Sequence, residues 1–241
     1  MNELAFAERW LWLAGSLCIA TFAIAVRWIL ERPHTTTSAQ TQPPLILTSP
    51  WIYQVLRILY AVGIPVLALL WRGVLTPSGL GLQPFFWGDA TQENSATGWN
   101  DWVRDIGWTC AYTSGLWFLI TAGDITGSRF SGRHHVLKHR PGYALREAVY
   151  HQAHWAFYRE PFVLLWGSAV GAWIGLLPVA AEALVNPARW ADAQSPDRGR
   201  DLLIRAGLAI LSAILYIQTQ NIWPVLIADA VLVWALGYTE E

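Results

Sequence analysis

Residues 162–181 read FVLLWGSAVGAWIGLLPVAA and contain no charged side chain. A helix needs about 20 apolar residues to cross the hydrocarbon core of a bilayer, and this stretch has that length. Gly167, Gly171 and Gly175 recur every four residues, so they share one helix face on which a neighbouring backbone can approach closely. The stretch therefore predicts a membrane span with a glycine packing face, open to another helix or to a partner membrane protein.

Apolar stretches of similar length lie on the N-terminal side, at 11–30, 51–71 and 106–123. Residues 143–160 predict a helix of mixed polarity, and Pro161 is expected to bend or restart it. Together with 162–181, these segments account for four spans and one helix that could lie at the membrane interface.

The C-terminal stretch 202–239 is too long for one ordinary span. The polar residues 218–221 interrupt it, and Pro224 suits the first turn of a new helix. We therefore expect a tight helical hairpin, with a polar loop at 186–201 before it.

The composition supports the same architecture. Only 14% of the residues are charged, against about 25% in soluble domains, so little polar surface is left to coat a water-exposed globule. The sixteen tryptophans favour the bilayer interface, and a net charge of −1 gives no electrostatic case for nucleic acid. We predict an all-α, polytopic transmembrane bundle of about six spans plus one mixed or interfacial helix, forming a single domain over 1–241, with N-terminal spans in 1–123.

The loop charges predict an orientation. Residues 73–105 carry several acids and 125–146 carry several bases. Because basic loops stay in the cytoplasm, 125–146 is expected inside and 73–105 outside, which places the N-terminus outside.

Ionisable side chains at membrane depth are functional candidates. On a helix, Glu147, His151 and His154 fall at about 0°, 40° and −20°, so they share one face. With Asp229 from another helix they could hold zinc. The alternative is that both histidines form hydrogen bonds at a polar helix interface and that no cofactor binds. Glu182 and Arg205 flank one loop, and we expect them to form an ion pair.

Two stretches, AVYHQAHWAFYREP at 148–161 and TQNIWPVLIADAVLVW at 219–234, resemble motifs of the CPBP family of intramembrane proteins. This family includes the type II CAAX prenyl proteases and the bacteriocin self-immunity proteins. The resemblance covers 144–239, and GLGL around Leu80 is similar to the family's upstream region. Arg159 falls on the arginine of the family's Glu-Glu-x-x-x-Arg motif, and residues 221–223 fall on its helix-opening turn. The resemblance implies the fold and a bacterial inner membrane location.

The departures from the family concern its catalytic positions. The two motif glutamates are replaced by His154 and Trp155, the late histidine by Asp229 and its asparagine partner by Val233. The first functional hypothesis is therefore a relative without protease activity, a structural, binding or regulatory membrane component.

Two other functions stay open. The second hypothesis is a metal-dependent intramembrane endopeptidase with a rebuilt site. Glu147 would be the general base, Arg159 would keep its motif role, and His151, His154 and Asp229 would be the metal ligands. The third is a transporter that uses Asp229 and Arg205 along a polar path, although the two halves show no inverted repeat.

Overall fold

The computed structural model describes residues 3–31, 50–70, 80–82, 95–131 and 140–237, and every regular element within these ranges is helical. In chain order the elements are α1 (Glu3–Glu31), α2 (Pro50–Ile58), a π-helical turn (Leu59–Gly63), α3 (Ile64–Leu70), α4 (Ser95–Ser131), α5 (Pro141–Ile174), α6 (Leu176–Val185), α7 (Pro187–Gln194), α8 (Pro196–Thr219) and α9 (Ile222–Leu236). The predicted all-α class is confirmed.

Helix α5 lies at the centre of the packing. It contacts α8, α9, α1, α6 and the π-helical turn, while α4 packs against α8 and α9. Ile204, Leu208 and Leu232 belong to an apolar core between α8 and α9, and Leu13 and Phe157 belong to a second core between α1 and α5. Residues of the first half of α5 therefore face neighbouring helices in several directions.

The helix does not restart at Pro161, because the backbone stays helical around that residue and leaves the helical region at Gly167 instead. Gly167 has φ 78° and ψ 172°, a conformation essentially restricted to glycine. Pro161 removes one hydrogen bond without ending the helix, whereas the conformation at Gly167 changes the direction of the chain.

After Gly167 the chain packs back against the helix it has just left. A methyl group added at Gly171 would overlap the backbone of Val163, and one added at Gly175 would lie 2.7 Å from the Cα of Arg159. Residues 162–181 therefore form the turn and return arm of a helical hairpin and not one continuous span. Gly171 and Gly175 pack against the chain's own helix, whereas Gly167 lies at the turn with open space around its Cα.

The C-terminal hairpin is confirmed. Helix α8 ends at Thr219, Gln220 has a left-handed conformation with φ 47°, and the side chain of Asn221 caps α9 by accepting a hydrogen bond of 3.1 Å from the backbone N–H of Trp223. Pro224 lies in the first turn of α9, as predicted.

Three loop predictions need correction. The expected loop 186–201 is largely helical, since it contains α7 and the start of α8. Helix α4 begins at 95 and ends at 131, so it extends into the expected loops 73–105 and 125–146 on both sides of the predicted span 106–123. The other residues expected in these loops lie mainly outside the described ranges.

Within the described ranges, Gly199–Thr219 is the one helix that by length and composition could cross a membrane unaided. Helices α5 and α6, bent by 44°, would make a second crossing if they counted as one broken span. A buried core helix of a soluble protein passes the same test of length and composition.

The bundle exposes many large apolar side chains and buries several polar ones. Large apolar side chains of α4 are exposed, while two of its polar residues, Asp105 and Thr109, are buried. The exposed side chains on this helix are Val103, Ile106, Trp108, Trp117, Phe118, Leu119 and Ile125. Further exposed apolar side chains on α6, α8 and α9 include Leu177, Leu184, Leu203, Ile210, Ile227 and Val231. The outside of the bundle is thus apolar over a wide area.

Candidate functional site

The first half of α5 carries an unusual number of buried polar side chains. Those buried in the structure are Glu147, His151, Gln152, His154, Arg159 and Glu160. Burying a polar group is costly unless it is hydrogen-bonded or paired. Their partners therefore show how the interior is organised.

One set of partners, which we call the His154–Glu182 cluster, consists of His154, Glu182, Tyr158, Tyr60 and Ser16. The Nε2 of His154 lies 3.0 Å from Oε2 of Glu182, and the hydroxyl of Tyr158 donates to the same oxygen at 3.2 Å. The hydroxyl of Tyr60 lies 2.8 Å from that of Tyr158 and 3.3 Å from Nε2 of His154. The Oγ of Ser16 lies 3.4 Å from the hydroxyl of Tyr158. These contacts connect α1, the π-helical turn, α5 and α6.

Two backbone irregularities bring the cluster together. The reversal at Gly167 places Glu182 of α6 beside His154, since a straight helix of the same 28-residue separation would hold them about 42 Å apart. Tyr60 belongs to the π-helical turn at Leu59–Gly63, and such turns frequently occur at functional sites. The cluster therefore depends on both departures from the regular α-helix.

The cluster uses one ring nitrogen of His154 and leaves the other without a partner among the described residues. With Glu182 ionised, the Nε2–H of His154 and the hydroxyl of Tyr158 both donate to its carboxylate, which leaves Nδ1 of His154 as an acceptor. That Nδ1 is buried and has no hydrogen-bond partner among the described residues. The Glu182 side chain is 27% exposed, so the chain of hydrogen bonds runs from the interior to the surface.

A second set, the His151–Asp229 cluster, consists of His151, Gln152, Ser212 and Asp229. The Nδ1 of His151 lies 3.4 Å from Oδ2 of Asp229, and Nε2 of Gln152 donates to the same oxygen at 2.9 Å. The hydroxyl of Ser212 donates to Oε1 of Gln152 at 2.8 Å. These residues join α5, α8 and α9, and the ring of Trp155 stacks on that of His151 at 4.8 Å.

Glu147 lies apart from both clusters. Its carboxylate accepts hydrogen bonds from Nη1 of Arg57 at 3.0 Å and from Nη2 of Arg146 at 3.1 Å. Both oxygens of a side chain that is 0% exposed are thus engaged with guanidinium groups. This arrangement stabilises a buried charge and does not orient Glu147 towards a water molecule beside either histidine.

The predicted zinc ligands are therefore divided among three places. His151 meets Asp229, His154 meets Glu182, and Glu147 meets Arg57. In the ranges that the structure describes, no three side chains of His, Cys, Asp or Glu are grouped to hold a metal ion. The one face shared by Glu147, His151 and His154 did not guarantee a common site, because each side chain turns towards a different neighbouring helix.

The expected ion pair between Glu182 and Arg205 is replaced by other contacts. The carboxylate of Glu182 is engaged by His154 and Tyr158, and Arg205 is not among its partners. The reversal at Gly167, which the sequence pattern did not indicate, brings Glu182 into contact with α5.

Arg159 and Glu160 are neighbours with different environments. Glu160 forms a buried ion pair with Arg9 of α1, with 3.5 Å between Nε and Oε2. Arg159 instead lies with its Cζ 3.6 Å from the centre of the Tyr216 ring. Its Nε and Nη2 are buried without an acceptor among the described residues.

The residues that the sequence pattern missed are Ser16, Tyr60, Tyr158, Gln152 and Ser212. Each is an uncharged polar residue inside an apolar or mixed stretch, and such residues occur in membrane helices for many reasons. A charged side chain stands out in a span, whereas a hydroxyl or amide becomes conspicuous only when its partner is known.

Comparisons with known proteins give no relative for this chain: no family model, no curated protein and no solved structure matches it.

Proposed function

We propose that the chain is an integral membrane protein of CPBP-like fold, crossing the bilayer about six times, that acts as a binding or regulatory component and not as a peptidase. Its expected location is the bacterial inner membrane. The observation that carries the membrane part is the inverted polarity of the bundle. Charged and hydrogen-bonding residues of α5 are buried, and large apolar residues of α4 and α8 are exposed.

Exposed apolar surface of this extent is unusual in a soluble monomer, where single patches seldom exceed a few hundred Å². In a bilayer the same surface faces lipid at no cost, and the polar groups must satisfy each other inside. The buried contacts between Glu147 and Arg57, and between Glu160 and Arg9, have the form expected for such an interior.

The proposal that the chain is not a peptidase rests on the contacts that its candidate catalytic side chains make. A metallopeptidase needs ligands that converge on one ion and a base close to the bound water. Here Glu147 is held by two arginines, while His151 and His154 face different acids.

The His154–Glu182 cluster supports a binding or regulatory role. It connects four elements through side chains around His154, whose buried Nδ1 is available to accept a hydrogen bond from a ligand. A change at this one imidazole would therefore alter the packing of α1, α5 and α6 together.

Fractionation and labelling test the membrane proposal. The chain should remain in the membrane pellet after alkaline carbonate treatment and should need detergent for extraction. In a background without Cys18 and Cys110, an Asp89→Cys variant should react with an impermeant maleimide applied outside, and a Lys138→Cys variant should not. Release by carbonate, or equal labelling of both positions in intact cells, would contradict the proposal.

One observation favours a metal-dependent endopeptidase as a second candidate. His151 and Asp229 come from different helices and lie 3.4 Å apart, and Oδ1 of Asp229 is buried with no hydrogen-bond partner among the described residues. An imidazole and a carboxylate so placed could share an ion with a further ligand. Measuring the metal content of the purified protein distinguishes the two candidates.

A further inference from the structure

The strongest unassigned feature is the environment of Arg159. Its side chain is 3% exposed, and Nε and Nη2 have no acceptor within the described ranges. The guanidinium plane has one close neighbour of opposite electrostatic character, the face of the Tyr216 ring at 3.6 Å. A cation–π contact of this kind attracts the charge but leaves the N–H donors unsatisfied.

Two other arginines in the interior of the described bundle are paired with acids. Arg9 is paired with Glu160, and Arg57 with Glu147. The adjacent acid, Glu160, is paired with Arg9, and two further interior acids are engaged elsewhere, Glu182 with His154 and Asp229 with Gln152. Among the described residues, Arg159 therefore has no carboxylate partner, although a buried charge is costly without one.

Arg159 and Tyr216 lie near the exposed end of α8. Tyr216 lies one turn before α8 ends at Thr219, and the next residue, Gln220, is exposed. The amide of Gln220 approaches Oγ of Ser168, at the tip of the α5 hairpin, at 3.5 Å. An exposed polar end of this kind is where head groups and water meet a membrane protein.

We propose that Arg159 binds the phosphate or carboxylate group of an anionic ligand, which enters at this end of α8 and replaces the missing acid. The guanidinium offers two parallel N–H donors, the geometry that such oxyanions accept in a bidentate fashion. The Tyr216 ring covers a face of the guanidinium and leaves its N–H edge for the oxyanion. The oxyanion comes either from a lipid head group or from a free anion. The inference does not depend on whether the chain is a peptidase.

Thermal unfolding of the full chain in neutral detergent tests this site. Three probes are titrated at constant ionic strength: inorganic phosphate, phosphatidylglycerol and phosphatidylcholine. For the unaltered protein we expect a saturable rise in Tm of several degrees with phosphate or with phosphatidylglycerol, but none with phosphatidylcholine. A response to phosphate identifies a free anion, and a response to phosphatidylglycerol alone identifies a lipid head group.

The Arg159→Met variant should lose the saturable rise, and Arg159→Lys should retain part of it because the charge remains. Overturning results are a rise of equal size in Arg159→Met, an equal response to phosphatidylcholine, or no saturable response of the unaltered protein to any probe.

Comparing the Tm of two variants without added ligand gives a second test, which does not depend on the choice of probe. In anion-poor detergent, Arg159→Met should leave Tm unchanged within a degree or two or raise it, because an uncompensated charge is removed. Arg57→Met should lower Tm by several degrees, because it leaves Glu147 without its main partner. If Arg159→Met lowers Tm as much as Arg57→Met, or does not fold, the guanidinium has an acid within the chain and the proposal fails.

Discussion

The Nε2 of His154 lies 3.0 Å from Oε2 of Glu182, although 28 residues separate them in the chain. His154 precedes the glycine-rich stretch 162–181, and Glu182 directly follows it. The two side chains can meet only because the chain reverses direction between them. The reversal occurs at Gly167, and it is stabilised by the close packing of Gly171 and Gly175 on residues 159–163. The predictions below test the reversal, its packing, and the interior contacts that depend on it.

Replacing Gly167 should destabilise the fold for a conformational reason. Its φ of 78° is unfavourable for any side chain, and the space around it is open, so a Gly167→Ala variant experiences strain without a clash. We expect a loss of about 1–3 kcal/mol in the free energy of unfolding. Denaturation in detergent measures it.

The matched control is Gly115→Ala in α4, which also has open space around it but lies within a regular helix. That substitution should be neutral or slightly stabilising, because alanine favours helices by about 1 kcal/mol over glycine. Equal effects at the two positions would show that Gly167 is not in the conformation described.

Replacing Gly171 tests the packing of the hairpin arms. A Gly171→Leu side chain would overlap the backbone of Val163, which cannot move without opening the hairpin. We expect most of the folded protein to be lost, seen as aggregation in size-exclusion chromatography. Gly115→Leu adds the same side chain where space is open and should remain monodisperse. A folded and stable Gly171→Leu protein would contradict the observed packing.

The sequence predicted the class of the fold better than its path. Charge depletion and long apolar stretches identify helices, and the polar residues 218–221 mark the α8–α9 hairpin because helix-breaking signals are local. Gly167 gave no comparable signal. Glycines spaced by four residues are equally compatible with a straight packing helix, and only the overlap of Gly171 with Val163 shows that the chain turns back on itself.

The sequence likewise predicted the candidate site only in part. Helical periodicity correctly placed Glu147, His151 and His154 near one another along α5, but each side chain found its partner on another element. Partners such as Tyr60 depend on the π-helical turn, which has no recognisable pattern in the sequence.

A double-mutant cycle tests the contact between His154 and Glu182. The single variants His154→Ala and Glu182→Gln and their combination should give a coupling energy of about 0.5–3 kcal/mol, because the two side chains share a hydrogen bond in a low-dielectric interior. The comparison cycle combines Glu182→Gln with Arg205→Gln and should be additive within about 0.5 kcal/mol. Strong coupling in the second cycle and none in the first would contradict the contact with His154. It would support the ion pair between Glu182 and Arg205 that the sequence predicts.

Metal content separates the two proposed functions. Protein purified in detergent without chelator should contain far less than one zinc per chain, because Glu147, His151, His154 and Asp229 are distributed among different partners. Elemental analysis of the unaltered protein is compared with that of a Glu147→Ala, His154→Ala double variant. Stoichiometric zinc that is lost in the double variant would require these residues to converge, which would support the endopeptidase and contradict the binding or regulatory proposal. Zinc that persists in the double variant but disappears in Asp229→Asn would place an ion at the His151–Asp229 cluster instead.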